Sequence, residues 1–158
     1  MVKVLFVCLG NICRSPLAEA LFNQKIKQAG LHGKVMADSC GTGDYHIGSQ
    51  PDRRSIQVAQ KHGVPIHHAC RQLVPQDLEV FDYVLAMDKS NQRNILYFAT
   101  HPEHHDKVML MRSFDNSDDH LEVPDPYHGG TKEFQEVYDI LDRSLDGFIA
   151  QVIRKHFS

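Results

Sequence analysis

A cysteine and an arginine near the start of the chain have a spacing that suits phosphate chemistry. Cys8 and Arg14 are separated by five residues in the segment CLGNICRSP, which follows an apolar run. Gly10 and Asn11 tolerate positive φ better than other residues, so they can curl a short loop around a spherical ion. The planar guanidinium of Arg14 can grip two oxygens of that ion. The spacing therefore predicts a phosphate-binding loop with a cysteine at its mouth.

The start of a helix just after this loop adds to the prediction. Pro16 is a residue type favoured in the first turn of a helix, so the loop should join a strand end to a helix N-terminus. Free backbone N–H groups and the positive end of the helix dipole bind anions at such a junction. A cysteine there, beside a cation, ionises near neutral pH. We therefore expect Cys8 to be a thiolate that attacks phosphorus, although a cysteine after a strand is more often buried and inert.

Cleavage of a phosphate ester also needs a proton donor for the leaving oxygen, and Asp125 is the candidate. It lies in the segment VPDPY, where two flanking prolines restrict the backbone. A positioned general acid typically contributes about 10²–10⁴ in rate. Taken alone, Pro-Asp-Pro is ordinarily a surface turn, and the nearby Asp115, Asp118 and Asp119 compete for the role. Its pairing with the Cys8 loop is what favours Asp125.

Hydrophobic patterns predict the elements that must position these residues. Strands are predicted over 2–7, 34–39, 82–87 and 107–111, and helices over 16–29, 53–61, 90–99 and 131–156. Residues 113–130 are predicted to be a loop. Strands that alternate with helices form a parallel sheet covered on both faces by right-handed crossovers. Ligands bind such sheets at the carboxyl ends of the strands, where Cys8 falls.

Composition limits the classes of protein to consider. The 158 residues, 42% of them apolar, predict one domain over 1–158. A net charge of −3 argues against a general nucleic-acid binder. We find no apolar stretch long enough for a membrane span and no small-residue cleavage site, so we expect a cytoplasmic protein.

The remaining cysteines and histidines suggest no cofactor. In a reducing cytosol we expect free thiols at all four cysteines, Cys8, Cys13, Cys40 and Cys70. The histidines of the 101–105 segment are predicted to lie in a flexible loop, since no cysteine-pair spacing supports a structural zinc site. We expect neither a metal nor another cofactor.

Together, VCLGNICRSP near the N-terminus and DPY far downstream resemble the low-molecular-weight protein tyrosine phosphatase family. The resemblance spans the whole chain and includes the AMDKSN segment. It implies an α/β fold with a four-stranded parallel sheet in the order 2-1-3-4 and a phosphate-binding loop after strand 1. It also implies hydrolysis of protein phosphotyrosine and small aryl phosphates through a cysteinyl-phosphate. In that reaction Cys8 is the nucleophile, Arg14 binds the phosphate and Asp125 protonates the leaving group.

The resemblance assigns further residues to the site. Substrate-binding positions are implied at Leu9, Gly10, Asn11, Ile12, Cys13, Ser15, Tyr45, Tyr127 and His128. Ser39 and His68 are implied to support the loop, together with Asn11, and Ser15 to donate a hydrogen bond to the Cys8 sulfur. His128 departs from the second tyrosine of some members. Cys13 is implied to form a reversible disulfide with Cys8 that protects it from oxidation.

Two alternatives stay open at this point. An arsenate reductase of the same fold would need resolving cysteines after the third strand, and no cysteine follows Cys70. A non-catalytic phosphate-binding or phosphocarrier module would generally lack the arginine and the acid. The expected partner is a tyrosine-phosphorylated protein, such as a tyrosine kinase, and the expected state is a monomer.

Overall fold

Four parallel strands form the centre of the structure, a computed structural model that describes residues 1–117 and 119–158. The strands are β1 (Val2–Cys8), β2 (Val35–Gly41), β3 (Tyr83–Ala86) and β4 (Val108–Leu110). They pair in the order β2-β1-β3-β4, and all three pairings are parallel. The predicted sheet and its order are confirmed.

Helices cover both faces of the sheet, as predicted. The helices of the described residues are α1 (Arg14–Gln28), α2 (Arg53–Lys61), α3 (Asp77–Val80), α4 (Lys89–Leu96), α5 (Pro102–Lys107) and α6 (Thr131–Gln151), with 3₁₀ turns at Met111–Phe114 and Ile153–Phe157. Phe6 of β1 contacts Phe22 of α1 at 5.4 Å between ring centroids, and Phe22 contacts Phe148 of α6. Leu5 points to the other face, where Ile95 of α4 belongs to the second core. This alternation along β1 puts Cys8 on the same side as Phe6.

Several boundaries differ from the predictions, and two short helices were missed. Helix α1 begins at Arg14, two residues earlier than predicted, so the arginine lies in its first turn. Helix α6 ends at Gln151, and a 3₁₀ turn follows it. Strand β2 continues to Gly41, which places Ser39 inside the strand. The short helices α3 and α5 are too brief to show apolar periodicity.

The predicted flexible loop at the histidine cluster is wrong. These residues form α5, which begins at Pro102 in the favoured first-turn position. His104 is buried, its Nδ1 accepts a hydrogen bond from the Thr100 amide, and its Nε2–H donates to Glu79 over 3.0 Å. The cluster therefore packs α5 against the segment that contains α3.

Within residues 1–117 and 119–158, no helix has both the length and the apolar character needed to cross a membrane.

Candidate active site

The loop between β1 and α1 has the curled form that its sequence predicts. Asn11 has a φ of 57°, and it is the one non-glycine residue with positive φ among those described. The carbonyls of Cys8 and Leu9 accept hydrogen bonds from Thr42 and Gly43, at 2.9 Å each. In the described structure the amides at positions 10–13 donate to no protein acceptor. They are therefore available to an anion, as in other backbone nests.

The side chain of Asn11 fixes this loop from below. It is fully buried, and its Nδ2 donates to Ser15 Oγ at 2.8 Å and to Ser39 Oγ at 3.1 Å. Its Oδ1 accepts from His68 Nε2 at 2.7 Å and from the Arg71 amide at 2.9 Å. Each polar atom of the side chain thus has two partners, and together they hold Asn11 in its left-handed conformation.

Ser15 connects this network to the sulfur of Cys8. The distance between Ser15 Oγ and Cys8 Sγ is 3.0 Å. Because Asn11 donates to Ser15 Oγ, the single hydroxyl proton of Ser15 remains for Cys8 Sγ or for the Cys40 carbonyl, which lies 3.3 Å away. The arrangement can therefore stabilise negative charge on Cys8.

Cys70 also contacts the phosphate-binding loop. The thiol of Cys70 donates to the Asn11 carbonyl, with 2.8 Å between Sγ and O. Burial raises the pKa of Cys70 to about 11, so it remains a protonated donor in neutral solution. Cys70 is therefore a support for the loop rather than a second thiolate.

A second layer of polar residues stands behind Ser39 and His68. Ser39 donates to Glu19 Oε1 at 2.7 Å, and His68 Nδ1 lies 3.3 Å from the same oxygen. Burial raises the pKa of Glu19 to about 7. Within the described part of the chain, Glu19, Asp38 and His68 are the one place where three metal-type ligands converge. Hydrogen bonds to Ser39 and ion pairs with neighbouring residues already account for these groups.

Arg14 is buried, and residues that follow β3 in the chain hold its guanidinium. Its Nη1 donates to Asp88 Oδ2 at 2.8 Å and to the Val123 carbonyl at 2.9 Å. Its Nη2 lies 3.8 Å from Asp125 Oδ2. Burial alone would lower the pKa of Arg14, but Cys8, Asp88 and Asp125 together raise it above its ordinary value. The guanidinium is therefore a fixed cation next to both predicted reacting groups.

Asp125 lies on a loop, and its side chain is about half exposed, at 48%. Its Oδ1 accepts from the Tyr127 amide at 3.1 Å. Among the competing acids, Asp115 is buried and bound by Arg143, and Asp119 is exposed. Asp118 lies outside the described residues. Of the acids described, Asp125 is the one that borders the cavity above Cys8.

A cavity of about 310 Å³ brings the predicted residues together. It is lined by Cys8, Leu9, Gly10, Ile12, Cys13, Arg14, Tyr45, His46, Asp125, Tyr127 and His128. The side chains of Asn11 and Ser15 lie behind the loop instead, with Ser39 and His68 beyond them.

The sequence interpretation missed three residues that shape this cavity. Asp88 orients Arg14, His46 forms part of the wall, and Arg54 donates to backbone carbonyls of the loop that carries Asp125. His46 lies so close to Gly10 that a Cβ on this glycine would be 3.1 Å from the imidazole. The neighbouring Tyr45 was a signal for His46, whereas nothing local marks Asp88 or Arg54.

Comparison with known proteins agrees with this geometry. Residues 3–157 match the family model described as low molecular weight phosphotyrosine protein phosphatase. The chain belongs to this family. The predicted family is thus confirmed, and with it the assignment of the chain as an enzyme, a protein tyrosine phosphatase that acts on phosphoproteins.

Individual relatives match over nearly their whole length. The low molecular weight phosphotyrosine protein phosphatase of Schizosaccharomyces pombe is 44% identical over 138 residues, which cover 87% of this chain and 88% of the yeast protein. The crystal structure of a protein tyrosine phosphatase from Entamoeba histolytica superimposes with a TM-score of 0.94, at 38% identity, over 99% of both chains. A Drosophila arginine phosphatase has the same fold, with a TM-score of 0.89 and 31% identity over 99% of this chain and 98% of its own.

Proposed function

We propose that the chain hydrolyses protein phosphotyrosine and small aryl phosphates through a cysteinyl-phosphate on Cys8. One observation carries the assignment: Cys8 and Arg14 of the phosphate-binding loop border a single cavity with Asp125, which lies far from them in the sequence. We further propose that residues 1–158 act as one phosphatase domain, a monomer in the cytoplasm, with tyrosine-phosphorylated proteins such as a tyrosine kinase as substrates.

In the first step the Cys8 thiolate attacks phosphorus and the bond from phosphorus to the phenolic oxygen breaks. Asp125 donates its proton to that oxygen, so that the product leaves as a neutral phenol. Both hydrogens of Arg14 Nη1 are already used by Asp88 and Val123. The hydrogens of Nε and Nη2 therefore remain for two phosphate oxygens, which suits bidentate binding.

In the second step water attacks the phosphorus of the cysteinyl-phosphate and the sulfur leaves. The Asp125 carboxylate formed in the first step takes the proton from that water. Negative charge returns to Cys8 Sγ, where the Ser15 hydroxyl at 3.0 Å can donate a hydrogen bond. A donor that meets developing charge is often worth about 10²–10³ in rate.

The walls of the cavity favour an aromatic substrate. Tyr45 and Tyr127 stand at its rim, and Leu9 and Ile12 add apolar surface near the loop. A phenyl ring packs against such side chains and carries its phosphate down to Cys8. A phosphoserine side chain is shorter and has no ring to pack, so it should bind and react more slowly.

We also propose that Cys13 gives the site a reversible oxidised state. Cys13 lies on the same loop as Cys8, and both are buried free thiols that border the cavity. Burial, with a smaller contribution from Asp52, raises the pKa of Cys13. Cys13 is therefore held as a thiol in the reduced site. The Cys8 charge contributes to this raised pKa, and its loss on oxidation of Cys8 makes Cys13 a better attacking group, as a resolving role requires.

A substrate panel tests the proposal against its alternatives. The wild type should turn over phosphotyrosine peptides far faster than phosphoserine or phosphoarginine peptides, and should not reduce arsenate with thioredoxin. Cys8→Ser should abolish turnover but retain measurable binding of vanadate. Turnover that survives in Cys8→Ser would contradict the assignment of Cys8 as the nucleophile. A trapped phosphocysteine without release of phosphate would favour the carrier alternative.

A further inference from the structure

The acid loop, residues 123–130, is attached to the protein on both sides of Asp125. On one side the Val123 amide donates to Met87, and its carbonyl accepts from Arg14. On the other side the anchor is Arg54, whose Nη2 donates to the Tyr127 carbonyl and whose Nη1 donates to the Gly129 carbonyl, at 2.9 Å each. The position of Asp125 therefore depends on Arg54 as well as on the phosphate-binding arginine.

Arg54 is itself held in one orientation. Asp52 accepts from its Nε at 3.1 Å and from its Nη2 at 3.0 Å. The guanidinium carbon lies 4.5 Å from the centroid of the Phe134 ring, within cation–π distance. These contacts with Asp52 raise the pKa of Arg54 above its ordinary value. A planar fork with five donors can serve a carboxylate and two carbonyls at once, which a lysine cannot do.

The same turn of helix also contacts the phosphate-binding loop. Asp52 is the N-cap of α2, since its side chain accepts from the Arg54 amide at 2.8 Å. The Asp52 amide in turn donates to the Ile12 carbonyl at 2.7 Å. The first turn of α2 thus bonds to the loop that carries the nucleophile and to the loop that carries the acid.

We propose that Arg54 is a positioning residue for the general acid, and that the first turn of α2 sets the distance between Asp125 and the leaving oxygen. The inference rests on the proposed function. Arg54 touches no reacting atom in this arrangement; it acts through the backbone of Tyr127 and Gly129. Misplacement of a catalytic group by about 1 Å can cost about 10² in rate, so the effect should be measurable.

Arg54→Met tests this role, with Arg53→Met as the matched control. Arg53 is the preceding residue on the same helix, and its exposed side chain makes no hydrogen bond or ion pair with any described residue. We expect Arg54→Met to lower kcat/KM about 10- to 100-fold for phenyl phosphate, a poor leaving group, and less than about threefold for p-nitrophenyl phosphate. Arg53→Met should match the wild type on both substrates.

A double-mutant cycle with Asp125→Asn separates positioning from general damage. If Arg54 acts through the acid, Arg54→Met should add little to the loss on phenyl phosphate once Asp125 is Asn. Additive losses, or equal slowing of both substrates, would overturn the inference. Arg54→Lys, which keeps the charge but not the fork, should fall between the wild type and Arg54→Met. Thermal unfolding and vanadate inhibition check that the fold and the phosphate loop are intact.

The outcomes also distinguish this inference from the proposed function. If Asp125→Asn shows the same leaving-group dependence as the wild type, the role of the acid itself is contradicted. A wild type that depends on Asp125, combined with an Arg54→Met variant that matches Arg53→Met, would contradict only the role of Arg54.

Discussion

Arg14 and Asp88 are joined by a hydrogen bond of 2.8 Å between Nη1 and Oδ2, in a pair that is almost fully buried on the arginine side. The other oxygen of Asp88 accepts from the Asn91 amide at 2.7 Å and caps α4. One carboxylate thus begins a helix and orients the guanidinium. The phosphate-binding loop is consequently fixed to an element that follows β3.

Two substitutions separate these roles of Asp88. Asp88→Asn keeps a good N-cap, so the free energy of unfolding should change little, but it removes the negative charge beside Arg14. Since a hydrogen bond to a charged group is worth about 1.5–3 kcal/mol, kcat/KM and vanadate affinity should fall about tenfold or more. Asp88→Ala should show the same loss of kcat/KM and vanadate affinity, and its free energy of unfolding should also fall by about 1 kcal/mol. Wild-type vanadate affinity in both variants would contradict the role assigned to the pair.

Asp125→Asn should change how the rate depends on the leaving group. Without a proton donor, kcat/KM for phenyl phosphate should fall about 10²-fold or more. The p-nitrophenolate group leaves without protonation, so kcat/KM for p-nitrophenyl phosphate should be affected much less. A series of substituted phenyl phosphates gives the slope directly. Asp119→Asn, at an exposed acid outside the cavity, is the control. Uniform slowing across the series would remove Asp125 from the acid role.

Ser15→Ala should slow the release of the phosphate from Cys8. The lost hydroxyl lies 3.0 Å from the sulfur that must leave in the second step. We expect a burst of phenol release followed by turnover slowed about 10²-fold, with phosphoenzyme trapped by acid quench. Ser113→Ala, at an exposed serine outside the cavity, should show the wild-type time course. If the variant shows no more phosphoenzyme than the wild type, the hydrogen bond does not serve the second step.

Asp115 should make stability depend on acid pH. Burial would raise its pKa, but hydrogen bonds from Arg143 and Ser117 lower it to about 2, below the value of about 3.9 in an unfolded chain. A lowered pKa contributes stability that is present above pH 4 and lost as the pH falls toward 2. Asp115→Asn should therefore cost about 2 kcal/mol at pH 7, and the difference from wild type should shrink below pH 4. Urea unfolding at pH 7, 5 and 3 measures it, and a difference independent of pH would contradict the linkage.

Oxidation by hydrogen peroxide should be reversible only when Cys13 is present. Peroxide converts the Cys8 thiolate to a sulfenic acid, and the Cys13 thiol displaces water from it to form a disulfide. Activity of the wild type should return with dithiothreitol, whereas Cys13→Ala should be inactivated permanently at the same dose. Cys40→Ala is the control, because the Cys40 side chain lies in the other core and burial raises its pKa. Equal recovery in all three proteins would exclude Cys13 as the resolving thiol.

The sequence predicts best what is contiguous in the chain. Cys8 and Arg14 share one short loop, so the apolar strand before it and the proline after it were enough to place both. Asp88 and Arg54 reach the site through tertiary contacts with residues about 74 positions away, and no local pattern reveals such a role. The segment that became α5 is polar and short, so its burial of His104 could not be read from periodicity.

The bond from Arg14 to the Val123 carbonyl spans 109 positions of sequence, and it has a consequence for biosynthesis. Ribosomes release roughly 5–20 residues per second, so the cysteine loop leaves the exit tunnel about 5–20 s before its anchor and its acid. A nascent chain thus displays the nucleophile without the groups that complete it. The site can therefore assemble only after residues 123–125 have left the tunnel and reached Arg14.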